Sequence, residues 1–423
     1  MNDNHSRHES SYRPRYLARR LRQVAKSHPV VVLTGPRQAG KSTLLRNEPP
    51  FDSWKQQNLD DLDILEQAER EPDALWAGAK NVVIDDVQRA PNALLAIKRT
   101  VDNDPKRRFV ISGSASLDLL STVSETLAGR AISFPLAPMT LGEWNRLEPS
   151  HIGRDLLAGK LPTEAPASQT EDPIKLILRG FMPTLTRLRR NQDILDWWAG
   201  YVSTYLERDL RAISQVSSLA DFRRVMELAA LRTGQLLNQT QVSRDSAISQ
   251  PTVHRYLNLL EASYISYRLP AYGRSRGKRL VKSPKLYWAD PALAAFLAGH
   301  YSKAELAVSR EIGGLFENLV FLHLQVLASL LIPQGRLYYW RTVVGTEVDF
   351  ILEWGRSLVA FECKLSANPK HDDARSLNAF LADYPNCTAG VLVHTGDAIK
   401  LMGQHIVALP WTTLAGSAPS QRA

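Results

Sequence analysis

The sequence predicts an α/β protein, and three observations carry that reading. A glycine-containing loop, Gly35 to Ser42, lies between an apolar strand and a helix. Short apolar strands alternate with helical segments from Val30 to Ser112, the order that produces a parallel sheet covered on both faces. Further along, Glu347 to Lys364 reads as two strands joined by a tight turn. At roughly 100–200 residues per domain, a chain of 423 residues has room for two or three domains, each with its own core.

Composition narrows the class. With 44% hydrophobic and 22% charged residues the chain is neither collagen-like nor wholly disordered. Its formal net charge of +9 favours nucleic acid or another anionic surface as a partner and says nothing of fold. Cys363 and Cys387 cannot build a disulfide framework and suit a reducing compartment. Met1 to Ser11 is polar and lacks the apolar core of a secretory signal. The longest apolar stretch, Leu319 to Ile332, is interrupted by His323 and Gln325 and is too short to span a bilayer. These features predict a cytoplasmic protein with no membrane segment.

Taken in order, Met1 to Ser11 reads as a disordered start. Arg13, Arg15, Arg19, Arg20, Arg22 and Lys26 follow, with Tyr16, Leu17, Leu21 and Val24 at helical spacing. This predicts a solvated helix packed on the first domain, with a nucleic-acid arm as the alternative. Val30 to Thr34 is a short apolar strand, and a helix opens at Ser42. Asn81 to Asp85 is a second buried strand, Ala93 to Val101 a helix and Arg108 to Ser112 a third strand. Pro149 to Asp172, rich in Pro, Gly, Ser and Ala, reads as a linker. Pro173 to about Leu260 is helical in pattern, Ala262 to Trp288 is basic and strand-like, and from Glu311 a helix precedes alternating strands.

The loop Gly35-Pro36-Arg37-Gln38-Ala39-Gly40-Lys41-Ser42 fits the pattern G-x4-G-K-[ST]. Glycines let backbone amides turn inward to cradle phosphates, and the following helix points its positive end at them. In that role Lys41 reaches the β- and γ-phosphates of ATP and Ser42 offers its hydroxyl to Mg2+, with Thr43 next in the helix. A P-loop enzyme also needs an acid at the end of a buried strand. Val82-Val83-Ile84-Asp85-Asp86 supplies it, Asp85 as magnesium partner and Asp86 as the water-activating carboxylate.

Three segments, Asp85 to Pro91, Ser112-Gly113-Ser114-Ala115 and Leu127-Ala128-Gly129-Arg130, resemble the prokaryotic AAA+ ATPases of the AAA_14 type. The resemblance implies that Ser114 senses the γ-phosphate. It makes Arg130 a candidate arginine finger or sensor, although a structural surface role fits the residue equally. A finger acting in trans would require a homo-oligomer. One departure stands out: the family usually carries Asp-Glu where this chain has Asp85-Asp86, and the shorter side chain points to slow hydrolysis or an ATP-binding switch.

Gln239 to Ser246 and Gln250 to Leu260 read as two short helices around the turn Ala247-Ile248-Ser249, with Ser249 as N-cap and Pro251 in the first turn. That is a helix-turn-helix, whose second helix would present Gln250, Thr252, His254 and Arg255 to double-stranded DNA. The strand Tyr264 to Leu269 follows. Arg274, Arg276, Lys278, Arg279, Lys282 and Lys285 then read as a basic wing meeting phosphates. Winged helices also serve as protein-contact modules.

In the hairpin near the C-terminal end, Glu362 and Lys364 point to one face with Cys363 opposite, and Asp349 on the neighbouring strand can face them. Two carboxylates and a lysine on one patch can hold a divalent metal that polarises a phosphodiester. The arrangement resembles the PD-(D/E)XK nuclease superfamily, which often adds a glutamate on the preceding helix, the place of Glu317. Matching by residue gives Asp349 and Glu362 as Mg2+ ligands and Glu317, Asp349, Glu362 and Lys364 as the set. Many such folds have lost activity. Tyr205 to Leu210, Val281 to Tyr287 and Trp340 to Asp349 also resemble the domain of unknown function 4143, usual partner of the AAA_14 ATPase.

The predicted architecture is therefore an α/β P-loop AAA+-like ATPase domain at 12–148, a linker at 149–172, a helical winged-helix DNA-binding domain at 173–300 and an α/β PD-(D/E)XK nuclease-like domain at 301–415. The predicted function couples ATP binding and hydrolysis to DNA binding and cleavage. The alternatives are an ATP-switched DNA-binding or signalling module with an inert nuclease fold, and a chaperone-like ATPase.

Overall fold

The computed structural model describes residues 12–113, 125–163, 171–206, 218–273 and 283–416. They cluster into two compact units, residues up to 138 forming most of one and residues from 139 most of the other.

The first unit is a five-stranded, all-parallel sheet in the order β2-β3-β4-β1-β5. Its strands are β1 (Val30–Thr34), β2 (Lys55–Asn58), β3 (Asn81–Asp85), β4 (Arg108–Ser112) and β5 (Ala131–Pro135). The three apolar strands are central, and their alternating side chains build two cores. On one face Val30, Val32, Val82, Ile84 and Phe109 meet Ala93, Leu94, Ile97 and Val101 of α4 (Asn92–Asn103). On the other, Val31, Leu33, Val83 and Val110 meet α1 (Leu17–Ser27) and α2 (Lys41–Asn47) through Leu17, Leu21, Val24, Leu44 and Leu45. The basic N-terminal segment is thus a helix packed on the sheet through its apolar stripe. Between β2 and β3 lies α3 (Leu62–Arg70), capped by the Asp61 carboxylate, which accepts from the backbone amides of Asp63 and Ile64.

The second unit opens earlier than the linker reading expects. Within that stretch α5 (Ile152–Leu157) buries Leu156 and Leu157. Thr388 Oγ1 donates to the Leu156 carbonyl at 2.7 Å, and Ser150 Oγ donates to that of Thr413 at 2.8 Å. Two buried leucines dock this short helix, a signal masked by the Pro and Gly around it.

Helices α6 (Pro173–Arg179), α7 (Asn191–Gly200), α8 (Leu219–Ala230), α9 (Gln239–Ser246) and α10 (Gln250–Ala262) follow, then the antiparallel pair β6 (Ser266–Leu269) and β7 (Lys285–Trp288) and the short α11 (Pro291–Leu297). The remainder is α12 (Ile312–Ser329), β8 (Arg336–Arg341), β9 (Glu347–Trp354), β10 (Ser357–Lys364), α13 (Arg375–Asp383), β11 (Cys387–His394), β12 (Lys400–Leu401) and β13 (Ile406–Pro410). These strands form one sheet, β12-β13-β11-β10-β9-β8, in which β8, β9 and β10 meander antiparallel while β10, β11 and β13 run parallel. α12 is apolar and long enough by composition to cross a membrane, but most of it is buried inside this unit.

The helical part and the large sheet belong to one compact unit. Two features join them. Asn318 of α12 accepts from the Trp288 amide at 2.7 Å and donates to the Trp288 carbonyl at 2.8 Å, strapping β7 to the helix. Ala271, just after β6, bridges Tyr339 of β8.

Candidate functional site

The loop between β1 and α2 has the backbone that a phosphate cradle needs. Gly35 has φ 132°, and a Cβ there would lie 2.3 Å from the Leu136 carbonyl oxygen, so only glycine fits. Gly40, at φ 92°, turns the chain into α2. Gln38 also takes a left-handed conformation at φ 64°. Pro36 and Ala39 are buried, while Arg37, Gln38 and Thr43 are exposed. Lys41 is buried, and its Nζ donates to the carbonyls of Gly35 at 2.9 Å and Pro36 at 3.0 Å.

Asp85 ends β3 beside this loop. Its carboxylate accepts from the Ser112 hydroxyl of β4, and it lines a cleft with Ser42, Arg46, Gln57 and Asn58. Ser112 is a partner that its sequence neighbourhood signalled without giving it a role. Asp86 follows at φ 57°, a left-handed conformation that Asp tolerates better than most residues. Gln88 Nε2 donates to Asp86 Oδ1 at 2.8 Å. These residues fit a nucleotide with magnesium: a glycine whose Cβ position is closed by backbone, a buried ammonium at the loop, and a hydroxyl and a carboxylate facing one cleft.

Two expectations fare differently. Ser114 lies outside the described residues. Arg130 sits at the start of β5, whose Ala131 pairs with Val30, at the end of the sheet opposite the loop. Along β1 that is about 16 Å from the phosphate cradle. Its guanidinium instead grips Asp102 of α4, Nε to Oδ1 at 2.6 Å and Nη2 to Oδ2 at 3.0 Å. Parallel pairing thus sets Arg130 at the end of β5 away from the loop, engaged with Asp102.

In the second unit α9 and α10 form as expected, joined through Ala247 at φ 57°. Ser243 Oγ donates to the Ile248 carbonyl and Arg224 reaches the Ser246 carbonyl at 3.1 Å, so the turn is braced from both sides. Gln250, His254 and Arg255 are exposed and Thr252 is half-buried. The Ser249 and Thr252 hydroxyls meet at 2.9 Å, and His254 lies between Gln239 at 3.1 Å and Asn258 at 3.0 Å. Arg274, Arg276, Lys278, Arg279 and Lys282 lie outside the described residues.

Lys285 corrects the reading of a basic wing. Its side chain is 2% exposed, and its Nζ lies 3.0 Å from Asp349 Oδ1 and 3.2 Å from Glu317 Oε2, with Glu347 also in contact. Tyr287 OH donates to Glu317 Oε2 at 2.9 Å. The Cys363 amide donates to Asp349 Oδ2 at 2.9 Å, and Lys364 pairs with Glu362 at 2.9 Å. The structure thus brings together Glu317, Asp349, Glu362 and Lys364, but with a lysine ammonium among the carboxylates. Among the described residues no cluster of three or more His, Cys, Asp or Glu side chains is arranged to hold a metal ion. Sequence reasoning placed Lys285 in the wing and gave Tyr287 and Glu347 no role; the signal was a lone lysine opening the otherwise apolar strand Lys285-Leu286-Tyr287-Trp288.

Burial raises Glu317 to about 8 and Glu362 to about 7, in both cases with Asp349 adding to the effect. Burial alone would lower Lys285, but Tyr287, Asp349, Glu317 and Glu347 outweigh it and raise its pKa. Lys285 is therefore charged throughout the ordinary pH range.

Comparison with known proteins agrees with this architecture. A family of AAA domains matches residues 27–145, and two domains of unknown function, DUF8612 and DUF4143, match residues 170–304 and 312–414. The uncharacterized proteins Rv2008c of Mycobacterium tuberculosis and Mb2031c of Mycobacterium bovis are each 32% identical over 398 residues, 93% of this chain and 82% of theirs. The chain belongs to this family of AAA_14 ATPases with a DUF4143 domain. Among solved structures, the Walker-type ATPase PABY2304 of Pyrococcus abyssi aligns at 17% identity over 66% of this chain and 94% of its own, with a TM-score of 0.43. The STAND protein PH0952 of Pyrococcus horikoshii, with a tetratricopeptide repeat sensor, aligns at 12% identity over 75% of this chain and 46% of its own, with a TM-score of 0.23.

In the AAA domain, burial lowers Lys41 to about 8, opposed by the charges of Asp86 and Asp85. Burial also raises Asp86 above the usual carboxylate range, partly offset by its bond from Gln88. A carboxylate made more basic in this way is better suited to accept a proton from water.

Proposed function

We propose that this AAA_14 ATPase is an ATP-hydrolysing switch that controls binding of double-stranded DNA, and that its C-terminal sheet does not cut DNA. In this reading Lys41 and the loop amides hold the phosphates, Ser42 and Asp85 hold Mg2+, and Asp86 orients and deprotonates water. The chemistry that ATP and magnesium supply is an activated phosphoryl group with its charge partly neutralised. Gln250, Thr252, His254 and Arg255 on α10 supply the DNA contacts, joined by the basic residues Arg274, Arg276, Lys278 and Arg279. Arg130 acts on nucleotide only in trans, which makes the active form a homo-oligomer. The basic composition and the two free cysteines suit a cytoplasmic setting.

The observation that carries the inert-sheet part is Lys285, whose ammonium neutralises the carboxylates that a nuclease would give to metal. One observation favours cleavage instead: Glu362 and Lys364 remain paired at 2.9 Å on β10. The test is ATP turnover with and without duplex DNA, with Lys41→Ala as control, alongside nicking assays in Mg2+ and Mn2+. DNA-stimulated turnover that vanishes in the control, without nicking, supports the switch. Nicking that is lost in Lys364→Ala overturns the inert reading, and turnover indifferent to DNA overturns the coupling.

A further inference from the structure

We propose that Arg15 is a positioning residue of the phosphate loop, an inference that rests on the nucleotide-binding reading above. Arg15 precedes α1 and is 5% exposed. Its Nη1 donates to the Ala39 carbonyl at 2.7 Å and its Nη2 to the Ala137 carbonyl at 2.6 Å. Ala39 is in the loop. Ala137 follows Leu136, whose amide donates to the Thr34 carbonyl at 2.8 Å and whose carbonyl closes the space at Gly35. One guanidinium therefore clamps the loop and the segment that walls it.

The direction of these bonds matters. In a trans peptide the carbonyl and the next N–H point opposite ways. Holding the Ala39 carbonyl toward Arg15 holds the Gly40 N–H away from it, on the other side of that peptide. Gly40 is the glycine before Lys41, where inward-facing amides meet phosphate. Arg15 touches no reacting group; it fixes an amide that does. Arginine suits the task because its planar fork spans two acceptors, whereas a lysine ammonium is a single point. The surrounding segment has an independent mooring: Tyr12 OH donates to Glu48 Oε1 at 2.8 Å and Arg22 pairs with Glu48 at 2.8 Å, at the end of α2. Loss of Arg15 thus leaves α1 attached.

Arg15→Ala, Arg15→Lys and Arg22→Ala are compared with the wild type in the full chain by titration with fluorescent mant-ADP and Mg2+. Hydrogen exchange of residues 36–42 is followed in the nucleotide-free proteins. Arg15→Ala weakens mant-ADP by about tenfold or more and speeds exchange of the loop, because an amide is no longer pre-set. Arg15→Lys falls between Arg15→Ala and the wild type, and Arg22→Ala matches the wild type in both readouts. ATP turnover in Arg15→Ala shows a raised KM with kcat within about threefold, since the amide serves ground and transition states alike. Unchanged affinity and exchange in both Arg15 variants overturn the inference, as does an equal loss in Arg22→Ala, which would make docking of the segment the cause. If Arg15→Ala does not fold, Arg15→Lys decides. A folded wild type that binds no mant-ADP overturns the nucleotide reading itself, and Arg15 with it.

Discussion

Lys285 Nζ lies 3.0 Å from Asp349 Oδ1, a buried strand lysine delivered to the carboxylate that the sequence assigns to metal. The cluster is neutralised from within, and it links β7 to β9. Replacing the ammonium with an apolar chain of similar length leaves Asp349 and Glu347 without their cation. Removing one partner of a buried ion pair costs about 3–5 kcal/mol. Lys285→Met is therefore expected to lower the unfolding midpoint of the second unit steeply in urea, and an unfolding curve superimposable on wild type counts against the cluster as a structural element.

Glu317 tells the complementary story through pH. Burial holds its carboxyl near 8, so the native state keeps a proton that the unfolded chain gives up near 4.5. A folded pKa above the unfolded one means stability fully present below about 4.5 and lost as pH rises toward 8. Glu317→Gln carries no such penalty. Its stability relative to wild type should climb between pH 5 and 8 in urea melts; a constant difference would mean that Glu317 is ionised in the native state.

His323 acts in the opposite sense. It is fully buried, accepts from the Leu141 amide at 3.0 Å through Nε2, and meets the Leu319 carbonyl through Nδ1 at 2.8 Å. Burial lowers its pKa from 6.5 to about 4. The unfolded chain then takes up a proton first, so the contribution is whole above 6.5 and is lost as pH falls to 4. That difference amounts to about 3 kcal/mol. Glutamine offers an acceptor and a donor without titrating. The advantage of wild type over His323→Gln should shrink as pH falls through this window, and a pH-independent difference would refute the neutral histidine.

The P-loop, its strand and the Asp85-Asp86 pair were legible because each follows from local pattern: an apolar run, glycines at fixed spacing, acids at a strand end. The helix pair around Ala247 was legible for the same reason. β2 was not, since Lys55-Gln56-Gln57-Asn58 is a polar edge strand with no apolar signal. Lys285 looked like one of a run of surface bases, and only the pairing of β7 beside α12 makes it a buried counter-ion. The ion pair of Arg130 with Asp102 was not legible, because it depends on how β5 packs beside α4.

The proposed DNA contact of α10 predicts a defined salt dependence. Arg255 is exposed on α10, its guanidinium 5.4 Å from the Tyr256 ring centroid. A phosphate contact there releases about one counterion. Arg255→Ala should then weaken duplex binding at every sequence tested and flatten the slope of log K against log salt by about 1. A loss confined to particular sequences would instead assign Arg255 to a base edge, and an unchanged slope would remove it from the interface.

The proposed role of Asp86 toward water predicts a selective loss of turnover. The φ of Asp86, 57°, lies in the left-handed region, where Asp and Asn are both enriched. Asn is therefore a clean replacement that keeps the backbone and removes the base. Asp86→Asn should bind mant-ADP as wild type does while ATP turnover falls by about 10²–10⁴-fold, the usual range for a lost general base. Turnover within twofold of wild type would transfer the role to another group, and a matching loss of nucleotide affinity would mean that Asp86 shapes the site without acting on water.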